Sequence, residues 1–121
     1  MPAGKRREAA VAYNVELANR VRKSLAKRRG IKELKMMGGL CFMVRGHMCC
    51  GVLNDDLVVR VGPERHGDAL SHPHTRPMDF TGRPLRGFVY VGPEGHRRAQ
   101  DLERWLKRAT DFVQTLPRKK R

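Results

Sequence analysis

The residues of this chain best suited to chemistry are its three cysteines, its histidines and one Asp–Arg grouping. Cys49 and Cys50 are adjacent. On a regular strand such neighbours point to opposite faces, so a vicinal pair makes a poor disulfide and a poor chelate. With a two-residue turn at Gly46-His47, Met43 falls opposite Cys50, and Cys41 lies diagonal to it on the same face. A longer turn reverses that parity. A Cys41–Cys50 redox pair is one reading. Three buried free thiols acting as small apolar residues is the stronger one. His47 and Cys49 share a face two residues apart, and His72-Pro73-His74 lies in a loop. Neither approaches the paired spacing of a structural zinc site, so no metal and no cofactor is expected. Asp79 with Arg83 and Arg86 offers an anion site or a base. The same stretch, Asp79-Phe80-Thr81-Gly82, reads more economically as an Asx- or Ser/Thr-type turn. Nucleophile-elbow, P-loop, zincin and dinucleotide fingerprints are all missing. A non-enzymatic protein is the expectation, with thiol or metal chemistry at Cys41, Cys49 and Cys50 the lesser alternative.

These residues sit in a block of low net charge inside a strongly basic chain. Of 121 residues with a formal charge of +14, the segment 1–30 carries nine Lys/Arg against two acids, and 97–121 carries nine against three. The middle, 31–96, holds eight against seven. Lys5-Arg6-Arg7 and Arg118-Lys119-Lys120-Arg121 read as solvated tails. Such an excess attracts polyanions, and nucleic acid is a reasonable partner, although an Arg-rich surface of no special purpose explains the charge equally well. The first dozen residues lack an apolar stretch and no run approaches membrane-spanning length. Three cysteines, an odd number, form no disulfide framework, and a reducing cytoplasm without membrane association fits best.

The length suits one domain, placed at 14–117 between basic tails 1–13 and 118–121, the first of which is free to extend the opening helix. Asn14 caps a helix that runs to Arg29, with Leu17, Val21 and Leu25 on one face. Lys32–Met37, Leu40–Val44, Met48–Leu53 and Leu57–Val61 read as a β-meander broken by Gly38-Gly39, Arg45-Gly46-His47 and Asn54-Asp55-Asp56. Val61-Gly62-Pro63-Glu64 returns as Val91-Gly92-Pro93-Glu94. Each ends a strand and opens a helix, since Pro and an acid suit the first turn. The first helix is short, about Glu64 to Leu70. The second carries the strongest amphipathic stripe, Leu102, Trp105, Leu106, Ala109, Phe112, Val113 and Leu116. His72–Arg86, with three prolines, reads as a loop anchored by Met78 and Phe80 before strand Gly87–Val91. The implied fold is α+β and two-layered, an antiparallel sheet (meander plus later strand) flanked by N-terminal, short middle and C-terminal helices. Met36, Met37, Met43, Met48 and Met78 read as core gap-fillers, with an open sheet face the alternative.

Arg20, Lys23 and Lys27 on the first helix, and Arg104, Lys107 and Arg108 on the last, form exposed basic stripes. If the two helices are neighbours, the stripes join into a surface for nucleic-acid backbone, weakly specific and salt-sensitive. The aromatics fall at core positions, which argues against base stacking.

The segments Lys35-Met36-x-Gly38-Gly39, Phe42-Met43, Gly46-x-Met48, Gly51-Val52, Asp56-Leu57, Arg60-Val61-Gly62, Pro77-Met78-Asp79-Phe80-Thr81-Gly82-Arg83-Pro84 and Trp105, in that order, closely resemble the TfoX/Sxy N-terminal domain family over Asn14 to Leu116. Met37 and Leu85 depart from residues common there. The resemblance implies an antiparallel sheet flanked by helices and a link to regulators that promote natural competence genes together with the cyclic-AMP receptor protein. Full-length regulators of that kind carry a second, C-terminal domain, which this chain, ending at Arg121, lacks. The resemblance brings no catalytic residues. The expectation is therefore a stand-alone regulatory module that acts on a protein partner, with direct nucleic-acid binding as the alternative and a homodimer compatible with either.

Overall fold

The computed structural model describes residues 13–36, 38–79 and 84–117. The expected basic tails, Met37 and the turn residues 80–83 lie outside them. Six strands form one antiparallel sheet in the order β1-β2-β3-β4-β6-β5. They are β1 (Ile31–Met36), β2 (Gly39–Val44), β3 (His47–Leu53), β4 (Asp56–Arg60), β5 (Thr75–Asp79) and β6 (Pro84–Val91). Helices α1 (Val15–Ser24), α2 (His66–Leu70), α3 (Pro93–His96) and α4 (Ala99–Gln114) accompany the sheet, so the fold is α+β. No helix among the described residues is long and apolar enough to cross a membrane.

Asn14 caps α1 as expected, its side chain accepting from the Leu17 N–H at 2.9 Å. The helix stops at Ser24, five residues early, because tighter bonds take over: Ala26 N–H to Lys23 O and Arg28 N–H to Leu25 O. Lys27, Arg28 and Arg29 therefore lie past the last turn, which Arg22 and Lys23 occupy instead. Arg22 reaches Glu33 on β1 with contacts of 2.6 and 2.8 Å. That hydrogen bonding holds the Glu33 carboxyl below its ordinary range, against a smaller opposing effect of burial. The contribution is present above the unfolded carboxyl's pKa, near 4.3, and is lost as pH falls through the lower folded value. Solvent screens the pair, so Glu33→Gln is expected to lower stability at pH 7 by less than about 1 kcal/mol and by less still at pH 2, checked by urea unfolding at both.

The meander forms with two-residue turns. Arg45 and Gly46, at φ 56° and 86°, build a type I′ turn, whose twist matches the flanking strands. His47 belongs to β3, so the pairing differs from one built on a Gly46-His47 turn. A bulge follows. Met43 pairs with Met48 and Phe42 with Cys50, leaving Cys49 as an extra residue on β3. Both members of the vicinal pair join the core beside Phe42, all three fully buried. The expected opposite-face placement is thus overturned, since a bulge suspends strict alternation.

Along the rest of β2, β3 and β4, alternation is regular. Leu40, Phe42, Val44, Val52, Leu57, Val59, Val89 and Val91 meet Leu17, Val21, Leu102, Trp105, Leu106 and Val113 in one core under the helices. Gly62 closes that layer: at φ 89° its backbone lies so close to Phe112 that an added Cβ would sit 2.5 Å from the ring.

Part of the expected loop is a strand. Thr75–Asp79 forms β5 on the outer edge of the sheet, and β6 begins at Pro84 instead of Gly87. Pro77 is tolerated because an edge strand has one side that needs no donor. The second Gly-Pro-Glu opens the short α3, not the long helix. Arg20 donates to the carbonyls of His96 (2.9 Å) and Arg97 (3.1 Å), and buried His96 bonds the Asp55 carbonyl through Nε2 at 3.0 Å. With those carbonyls taken and Arg98 extended, α4 restarts at Ala99.

Candidate nucleic-acid interface

Helices α1 and α4 pack side by side over the sheet, and Ser24 Oγ donates to Glu103 across them at 2.9 Å. Between the helices runs a cleft of about 330 Å³, walled by Arg28 from the turn after α1 and by Arg104 and Lys107 from α4. Arg104 also lines a second cleft of about 420 Å³ with Arg98, Arg108, His72 and His74. Arg104 thus joins the two clefts, linking Arg28 and Lys107 on one side to Arg98 and Arg108 on the other.

The six residues expected on this surface divide into three groups. Arg104 and Lys107 stand on it, each in an exposed ion pair along its own helix, with Asp101 at 3.4 Å and Asp111 at 2.9 Å. Such pairs contribute up to about 1 kcal/mol and exchange readily for phosphate. Lys23 and Lys27 are exposed and make no ion pair among the described residues, but they line neither cleft. Arg20 and Arg108 are held by the protein itself. Arg20 closes α3. Arg108 lies over the Trp105 ring at 5.1 Å, pairs with Asp68 at 3.1 Å and contacts His72 Nε2 at 3.0 Å. Arg28 and Arg98 were not among the six: both fell inside the expected helices but off the basic stripes read there, and the structure places each just outside a helix end. The run Lys27-Arg28-Arg29 was the available signal for the first.

Cys41 pairs with Gly51 and faces away from the helices, so the sheet separates it from Cys50 and the two do not meet as a redox pair. Cys49 is held below its ordinary range by the Cys50 thiol donating to it, against burial and aided by Arg28 and Arg60. Cys50 is correspondingly held protonated, and burial raises Cys41. With Cys49 and Cys50 fully enclosed, neither is expected to react with a bulky disulfide reagent within minutes at pH 8, and both after unfolding, as thiol titration would show.

His47 Nε2 bonds the Pro117 carbonyl at 2.6 Å, and His74 lies 3.9 Å from Glu94. Among the described residues no three metal-ligating groups converge. Asp79 and Arg86 are both exposed, with the rest of their expected turn outside the described residues.

No described residue outside the sheet covers the sheet face opposite the helices. Met36, Met48, Met78, Leu85 and Phe88 line an apolar groove of about 100 Å³ whose floor includes Gly39 and Gly51. Of the described methionines in this region only Met78 is buried, so Met36 and Met48 line the groove instead of filling the core as first read, and Met43 is half-buried.

No curated protein and no solved structure matches the chain. The family model for the TfoX N-terminal domain matches residues 23–113, from the end of α1 through nearly all of α4 and every strand between. The match takes in the whole sheet together with the walls of the basic cleft, and the chain belongs to the TfoX N-terminal domain family.

Proposed function

We propose that this domain is a non-enzymatic regulatory module, related to the regulators of natural competence, that works by contact and meets nucleic-acid backbone through its helix layer. The observation that carries the reading is the convergence of Arg28, from the turn after α1, with Arg104 and Lys107 of α4 on one cleft. Phosphates placed there displace exposed carboxylates from Arg104 and Lys107 and release condensed counterions, which is where non-specific affinity comes from. No aromatic face is free for bases in the clefts, since Arg108 and His72 already occupy Trp105. Binding is therefore of backbone type, steep in salt and tolerant of sequence.

Mobility shift of duplex DNA across a salt series tests this. Binding is expected to persist in a chain trimmed to residues 13–117 and to weaken linearly in log salt. Binding that vanishes with the tails alone would reduce it to tail electrostatics. The uncovered apolar face supports a second reading, contact with a protein partner, and capture of a defined regulatory protein unaffected by DNA competitor would favour it.

A further inference from the structure

Strand β1 is an outer edge of the sheet, exposed along Lys32 to Met36, with Leu34 46% and Met36 38% accessible. The Arg45 N–H bonds the Gly30 carbonyl at 3.3 Å, which fixes the phase of the ladder. Antiparallel alternation then turns the backbone groups of Lys32, Leu34 and Met36 toward β2 and leaves those of Ile31, Glu33 and Lys35 facing outward. Nothing among the described residues pairs with that edge. An incoming antiparallel strand must oppose outward-facing residues to outward-facing residues.

We infer that a second copy of this chain pairs through β1, antiparallel and centred on Leu34. In that register Leu34 meets Leu34, Glu33 meets Lys35 twice and Met36 meets Lys32, so every directly opposed charge has an opposite or neutral neighbour. Registers centred on Glu33 or Lys35 place two like charges face to face, which destabilises a strand pair. A foreign strand has no reason to match this order, whereas a second copy always carries it. Lysines at positions 32 and 35 guard the edge against indiscriminate pairing, and this one register neutralises the guard at Lys35. Because opposed residues share a face, both helix layers lie on the same side. The two open apolar faces become one surface, with the two Leu34 side chains side by side at its centre.

Sedimentation velocity of the full chain without nucleic acid tests the inference, so it stands or falls separately from the proposed DNA contact. The wild type is expected to form a dimer between micromolar and about 1 mM. Lys35→Glu and Glu33→Lys are each expected to weaken it about tenfold, and mixing the two variants to restore it, because each variant's unmatched charge finds its opposite in the other. Leu34→Lys, at an exposed side chain, is expected to abolish it. Should Glu33→Lys fail to fold for want of its Arg22 contact, Lys35→Glu alone decides, since it sets carboxylates opposite Glu33 and leaves that contact intact. A wild type monomeric throughout, a dimer indifferent to Lys35→Glu, or folded variants that do not recover on mixing would overturn it.

Discussion

Replacing Phe42 with Ala is expected to destabilise the domain by about 3–5 kcal/mol, enough to leave a substantial unfolded fraction at 37 °C. Phe42 is fully buried on β2, directly opposite Cys50 and beside the extra residue Cys49. Its ring spans the space that a regular strand would fill from the facing position, and two small thiols lie against it. Truncation opens a cavity in this close-packed layer, so the loss includes a cavity penalty beyond transfer of the ring. The comparison variant is Leu34→Ala, on the exposed edge strand, expected to change stability by less than about 0.5 kcal/mol. Urea unfolding of the two would check both. Equal losses would mean that the bulge region is not the centre of the core.

Charge reversal around the inter-helix cleft is expected to have the largest functional effect. The triple variant Arg28→Glu, Arg104→Glu and Lys107→Glu should lower duplex-DNA affinity by about 100-fold or more at moderate salt. If each residue meets one phosphate, the slope of log affinity against log salt becomes shallower by about 2.7. Reversal of Lys32 and Arg86, on the sheet side of the molecule, is expected to cost less than about threefold, because charges beyond a Debye length of roughly 10 Å are screened. All of these side chains are exposed, so stability should hardly move and circular dichroism should be unchanged. Similar losses in the two variants would show that net charge, not the cleft, governs binding.

Much of this architecture was readable from local pattern. Asn14 announced the first helix, the Gly and Asn-Asp punctuation announced the meander, and the stripe from Leu102 to Val113 announced α4. What escaped was whatever depends on a partner strand or a distant side chain. Strand β5 hid behind Pro73, Pro77 and Pro84, because proline rules out a central strand while an edge tolerates it, and sequence does not say which strand is the edge. The break between α3 and α4 depends on Arg20, seventy-six residues from the His96 carbonyl it binds. That same contact removed Arg20 from the basic surface to which helical periodicity had assigned it. The facing of Cys49 was invisible for a related reason: a bulge is a property of two strands in register. The clefts were only half legible, since the expected helices ran through Arg28 and Arg98, whereas α1 ends at Ser24 and α4 starts at Ala99 and leaves both just outside.

The extra residue in β3 also bears on how this chain tolerates changes of length. Within a two-layer sheet, losing one residue ordinarily turns the rest of a strand inside out, exposing its apolar set. At Cys49 the opposite holds. Phe42 already faces Cys50 and Met43 already faces Met48. Deleting Cys49 would restore a regular ladder with every remaining side chain on its present face, at the loss of one small buried group. The vicinal pair is where a shortened version of this domain would keep its fold, and a deletion scan along β3 should find removal of one of these two cysteines, the same sequence whichever is cut, the permissive change.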